Sequence, residues 1–213
     1  MTPYLVVLSS PSGAGKSTIA RHLLSARADL AYSVSATTRP MRSGETDGTS
    51  YHFLAREEFE KRRDAGEFLE WAEYGGNLYG TLRAEIDRHL AAGQSVVLDI
   101  EVNGTRQLRA QYPDAVHIFI LPPSGGVLVD RLRGRNTEDT DAVRRRLQHA
   151  SDELGEVTRY DYVVINDDLV GAVDRVAAIL DAEGGRVSRQ SGLTEMVERL
   201  RREVAEQMER VGA

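Results

Sequence analysis

Short runs in which almost every residue is apolar alternate along this chain with longer stretches of helical periodicity. The runs are Tyr4–Ser9, Ser95–Ile100 (SVVLDI), Val116–Leu121 (VHIFIL) and Tyr160–Asn166 (YDYVVIN). Unbroken apolarity over so few residues predicts strands covered on both faces. Helices are expected at Lys16–Ala26, Leu82–Ala92, Thr105–Gln111, Ser124–Arg133, Thr140–Thr158 and Leu169–Glu183. Alternation of this kind implies an α/β fold, a parallel sheet flanked by crossover helices, with ligands gathering beyond the carboxyl ends of the strands.

Three stretches depart from the rhythm. Residues 34–81 hold short strand-like pieces, turn-rich strings (RSGETDGTS, YGGNLYG) and three of the eight tyrosines, which predicts an inserted substrate-binding subdomain. Residues 134–141 (GRNTEDTD) are polar and turn-prone between two arginine-bearing helices, the character of a lid. After Gly184 and Gly185, the spacing of Leu193, Val197, Leu200, Val204 and Met208 predicts an amphipathic helix in an extension over 186–213, expected to pack back on the parent domain or else to make a dimer contact. The main domain is thus expected over 1–185, its core formed by 1–33 and 82–185.

The first strand runs into SPSGAGKST, residues Ser10, Pro11, Ser12, Gly13, Ala14, Gly15, Lys16, Ser17 and Thr18, and this leads directly into the first helix. Strand, glycine-rich loop and helix is the context a phosphate-binding P-loop requires. Small residues let backbone N–H groups curl toward an anion, and the helix N-terminus adds its dipole. Lys16 would reach the β- and γ-phosphates of ATP, and the Ser17 hydroxyl would hold Mg²⁺. Ser10 stands where the motif usually opens with glycine, which is tolerable if that turn needs no positive φ. Asp99, closing the run VVLD, is the candidate acid for Mg²⁺ through water.

Composition narrows the partners. In 213 residues, 41% are hydrophobic and 28% charged, enough for a real core, and there is no cysteine, which suits a reducing compartment. The net charge of -6 argues against nonspecific nucleic-acid binding, which relies on a basic surface. No apolar run approaches the roughly 20 residues of a membrane helix, and the start MTPYLVVLSSPSG has no basic segment. A cytoplasmic protein with small-molecule substrates, neither nucleic-acid nor membrane partners, and a monomeric or homodimeric state is expected. The five histidines form no cluster and no serine-centred elbow occurs.

The segments SVSATTRPMRSGETDGTSYHF (residues 33–53) and FLEWAEYGGNLYGT (68–81) resemble the nucleoside-monophosphate region of guanylate kinases. The likeness continues through LDIEVNG (98–104), LRGRNTE (132–138), RRRLQHASDEL (144–154) and YDYVVINDDL (160–169). The resemblance implies a P-loop kinase that moves the terminal phosphoryl group of ATP to GMP. It implies that Arg39, Arg42, Tyr51 and Tyr79 hold the GMP phosphate and that Ser35, Glu70, Thr81 and Glu101 contact guanine. It also puts Arg135 and Arg146 on the transferring phosphates and Asn166 beside adenine, with Lys16, Arg39, Arg42, Arg135 and Arg146 forming the catalytic set. The chemistry is consistent, since guanine's N1–H and amino group are donors that carboxylates accept, and hydroxyls can donate to O6. Asn103 replaces the family's usual glutamine and Asn136 its usual lid glycine. Two rivals, a non-catalytic protein-binding module and a sugar-phosphate kinase, have no use for an intact Lys16 and for the base readers respectively.

Overall fold

The structure, a computed structural model, describes residues 1–133 and 140–211. Arg135, Asn136 and most of the expected lid lie outside the described residues.

A five-stranded parallel sheet forms the centre: β1 (Leu5–Ser9), β2 (Leu30–Tyr32), β7 (Ser95–Asp99), β8 (Val116–Leu121) and β9 (Tyr162–Ile165), in the order β2-β7-β1-β8-β9. Every residue of β1 is buried, because it is the middle strand and both faces are covered. On one face α1 (Lys16–Ala26) and α7 (Leu169–Gly184) bury Ile19, Leu23, Ala172, Val176 and Leu180 against Val6, Leu8, Ile118 and Ile120. On the other, α3 (Arg83–Ala91) and α4 (Val102–Gln111) bury Ile86 and Leu108 against Leu5, Val7, Val96 and Leu98. The alternation along β1 divides these two cores between its faces, as a period of two demands. Helix α7 opens at Asp168, whose carboxylate accepts from Gly171 N–H at 2.7 Å, a side-chain cap on an otherwise orphaned donor.

Residues 36–82 build a second, four-stranded sheet in the order β4-β3-β6-β5, from β3 (Ala36–Thr37), β4 (His52–Phe53), β5 (Phe68–Tyr74) and β6 (Asn77–Leu82). Helix α2 (Arg56–Asp64) lies beside it and was not expected from the sequence, since Phe59 is its one buried residue. Its stability rests on that ring stacking on Phe68 at 4.3 Å between centroids, with Glu57 and Glu58 in the first turn and Lys61, Arg62 and Arg63 in the last complementing the dipole. Helices α5 (Gly125–Arg133) and α6 (Thr140–Leu154) pack on each other through Leu128, Leu132, Leu147 and Ala150.

Three sequence expectations need correction. Helix α4 begins at Val102, not Thr105, and α6 ends at Leu154, where Gly155 precedes a short 3-10 turn over Val157–Arg159. The tail helix α8 (Leu193–Val211) has no buried residue, and Leu200, Val204 and Met208 are 45%, 58% and 70% exposed, so it does not pack back. Both faces of the central sheet are already covered, which leaves its apolar stripe no place on the core. The extension is tied down earlier: Arg189 sits 3.8 Å over the Tyr4 ring and pairs with Glu183 at 3.1 Å, before Gly192 (φ 73°) turns the chain outward. Among the described residues no helix is long and apolar enough to cross a membrane.

Candidate active site

The carboxyl ends of β1 and β7 open into a cavity of about 370 Å³ that also reaches the second sheet. The floor on one side is residues 10–18. Gly13 (φ 88°) and Gly15 (φ 97°) adopt the left-handed conformation that lets the loop curl, and Gly15 is the N-cap of α1 without any side-chain cap. The N-terminal amides of α1 therefore face the cavity as an anion site. A Cβ at Gly13 would meet Leu132 at 3.1 Å, and one at Gly15 would overlap the Asn166 amide. Ser10 fits because no non-glycine residue among those described has a positive φ; its hydroxyl donates to Pro11 O at 3.0 Å. Pro11, Ser12 and Thr18 line the same cavity, and the Ala14 carbonyl receives bonds from the Asn166 amide at 2.7 Å and Arg131 at 3.2 Å.

Lys16 Nζ lies 2.6 Å from Asp99 Oδ1 and donates to Ile100 O at 3.1 Å. Burial alone would lower its pKa, but Asp99, with Glu101 and Glu153 behind it, raises it, so the ammonium stays charged. Ser17 Oγ donates to Asp99 Oδ2 at 2.7 Å. A hydroxyl and a carboxylate adjacent at the end of β7 make the hard-oxygen pair that Mg²⁺ prefers. Among the described residues no group of three or more acidic, histidine or cysteine side chains could hold a metal.

Across the cavity, the opposite wall is carried by the second sheet. Pairing of β5 with β6 shifts register between Phe68 and Glu70, and this irregularity buries Phe68, Leu69 and Glu70 in succession instead of alternating them. Glu70 is 5% exposed and accepts from its cross-strand partner Thr81 at 2.6 Å. Burial pushes its pKa up to about 7, with the Thr81 hydroxyl pulling it down and Glu101 adding to the rise. Glu101, the N-cap of α4, also has a raised pKa through desolvation in the cleft, opposed by Lys16 and reinforced by Asp99. Ser35 lines the cavity beside them.

Arg39 and Arg42 reach the cavity from the loop after β3. The Arg39 guanidinium sits 5.4 Å from the Tyr51 ring centre, and the Tyr51 and Tyr79 rings meet edge to face at 6.1 Å. Burial raises the Tyr51 pKa, which keeps its hydroxyl a donor. Arg39 forks onto Glu45 at 2.7 and 3.1 Å, and Glu45 also accepts from Arg42 N–H at 2.7 Å. Arg146, on α6, approaches Ser12 Oγ at 3.5 Å and Leu132 O at 3.4 Å. The cavity thus gathers Lys16, Arg39, Arg42, Ser35, Tyr51, Tyr79, Glu70, Asp99 and Glu101, with Thr81 bonded to Glu70 and Arg146 to the loop; Asn166 sits beneath the loop and braces it.

Sequence reasoning missed two acids. Glu45 follows Arg42 by three residues in a polar turn, where an acid among arginines was a visible signal. Glu153 accepts from Ser12 N–H at 3.2 Å; only its position seven residues, or two helical turns, after Arg146 on α6 hinted at the same target.

Two anion sites facing each other across one cleft, at the carboxyl ends of a parallel sheet, are what phosphoryl transfer between small molecules requires, and fold and site together define a P-loop kinase. Comparison with known proteins refines the class. The guanylate kinase family pattern matches residues 2–183. The chain is 50% identical over 185 residues to a guanylate kinase of Symbiobacterium thermophilum, covering 87% of this chain and 88% of that one. It is 49% identical over 200 residues to a guanylate kinase of Novosphingobium aromaticivorans, covering 93% and 90%. The crystal structure of guanylate kinase from Anaplasma phagocytophilum superposes with a TM-score of 0.76 at 37% identity, covering 92% of this chain and 94% of that one. The chain belongs to the guanylate kinase family and is a nucleoside monophosphate kinase.

Proposed function

We propose that the enzyme transfers the γ-phosphoryl group of ATP to GMP, giving ADP and GDP, with Mg²⁺, in the cytoplasm. The observation that carries the choice of GMP is the buried Glu70 carboxylate, which Thr81 holds at 2.6 Å and which lines the cavity that contains the P-loop. Guanine offers N1–H and an amino group to carboxylates, with Glu70 and Glu101 accepting and Ser35, which lines the cavity, available to donate to O6; the Thr81 hydroxyl is already given to Glu70 and acts by holding that carboxylate. Adenine has an acceptor at N1 and would leave a buried carboxylate without a donor.

In this reading residues 34–81 form the acceptor subdomain, and 134–141 the lid. The amides of residues 13–18 and Lys16 hold the donor phosphates, Arg39, Arg42, Tyr51 and Tyr79 hold the acceptor phosphate, and Arg146 brings charge from α6. Arg135, outside the described residues, would join it. Ser17 and, through water, Asp99 would hold Mg²⁺, which would supply charge compensation for the phosphates when bound. No side chain need act as a base, because a phosphate monoester with a second pKa of about 6 is already mostly dianionic at neutral pH. Alignment and charge compensation are the protein's contribution.

A coupled ADP-release assay with ATP and Mg²⁺ tests this by comparing GMP, AMP and a sugar phosphate. GMP should exceed the others by about 10²-fold or more in kcat/KM; failure to convert GMP, or a preference for the sugar phosphate, removes the reading.

A further inference from the structure

Gly104 lies in the first turn of α4, is buried, and has an ordinary negative-region backbone, so no torsion angle there calls for glycine. Glycine is among the poorest helix formers. A Cβ on Gly104 would overlap Glu70 Oε2 and lie 2.9 Å from Glu70 Cδ. The missing side chain is the space that the Glu70 carboxylate occupies.

We infer that Gly104 is a specificity-determining position: the bare backbone of α4 is the wall that sets the Glu70 carboxylate against Thr81 and toward the acceptor base. The inference rests on the reading of Glu70 as a guanine acceptor. The wall is fixed in place. Gln107 on α4 accepts from Trp71 N–H at 3.3 Å and donates to Trp71 O at 2.7 Å, while Gln111 donates to Leu69 O at 2.8 Å. These side chains lace α4 along β5, the edge strand that carries Glu70. Helix and strand cannot slide apart to admit a methyl group without breaking that lacing. The carboxylate must move instead, and its bond to Thr81 at 2.6 Å must be lost or bent.

The test compares G104A, E70Q, E70A and E70A/G104A. G104A should raise KM for GMP about tenfold or more while leaving KM for ATP within about twofold, and adding G104A to E70A should change KM for GMP little. A ligand-free readout checks the packing separately. G104A should lower Tm when Glu70 is present and raise it in the E70A background, where alanine's better helix propensity acts unopposed. An unchanged KM for GMP in G104A, or the same Tm change in both backgrounds, overturns the inference. Wild-type kinetics in E70Q would instead sink the guanine reading beneath it, and the Tm reversal would still report whether Gly104 positions this carboxylate.

Discussion

The two halves of the cleft are built on opposite plans. In the proposed reading the donor side is nine consecutive residues that act mostly through their backbone, shaped by two left-handed glycines. In the same reading the acceptor side is assembled from side chains at 35, 39, 42, 51, 70, 79, 81 and 101, supplied by the second sheet, the loops that flank its strands, and a helix start. Backbone amides recognise a feature shared by all nucleotides, the polyphosphate, whereas a particular base needs donors and acceptors that only chosen side chains supply. Generality is therefore compact and local, and selectivity is dispersed.

The comparison breaks most visibly at Lys16. K16A should lower kcat by about 10³-fold or more while GMP affinity, measured by calorimetry, stays within about threefold. Parallel loss of GMP binding would mean the halves are not separate. At Glu70 the effect should be smaller and confined to the acceptor: E70Q is expected to reduce kcat/KM for GMP by about 10²-fold with KM for ATP unchanged.

The same residue makes a pH prediction. With Glu70 near 7, its free carboxyl is mostly protonated below that value, yet accepting from guanine needs the ionised form. KM for GMP should then rise by up to about tenfold per pH unit below 7, and E70Q should flatten the profile. Stability runs the other way. A carboxyl whose pKa is raised by folding favours the fold when protonated, and that contribution is lost as pH rises through about 7. Ligand-free E70Q should gain on the order of 2 kcal/mol over the parent at pH 8, about 4 °C in Tm, and much less at pH 5. The smallest effect belongs to the donor loop: S10G should leave kcat/KM within about twofold, since Ser10 already fits without strain. A large gain would show that the serine hydroxyl constrains the loop.

This contrast also explains what the sequence made visible. The P-loop and the strands of the central sheet were readable because their signals are local: glycine spacing and unbroken apolar runs. Helix α2 was not, because its one buried ring finds its partner, Phe68, only after folding. The register shift that buries Glu70 is a property of two paired strands, invisible in either alone. Gly104 reads as a weak spot in a helix until Glu70 is seen against it. The exposed face of α8 has the same origin, since periodicity reports an apolar stripe but not whether the core has room for it.

The cleft's cations and loop amides have acidic partners within the chain: Glu45 in the fork of Arg39, Asp99 on Lys16, and Glu153 on the Ser12 N–H. These carboxylates sit on the same groups that would hold phosphate, so an anion binds there by exchange rather than by simple capture. Exchange of that kind favours an anion with further anchors, such as a base beside Glu70, over one held through its charge alone.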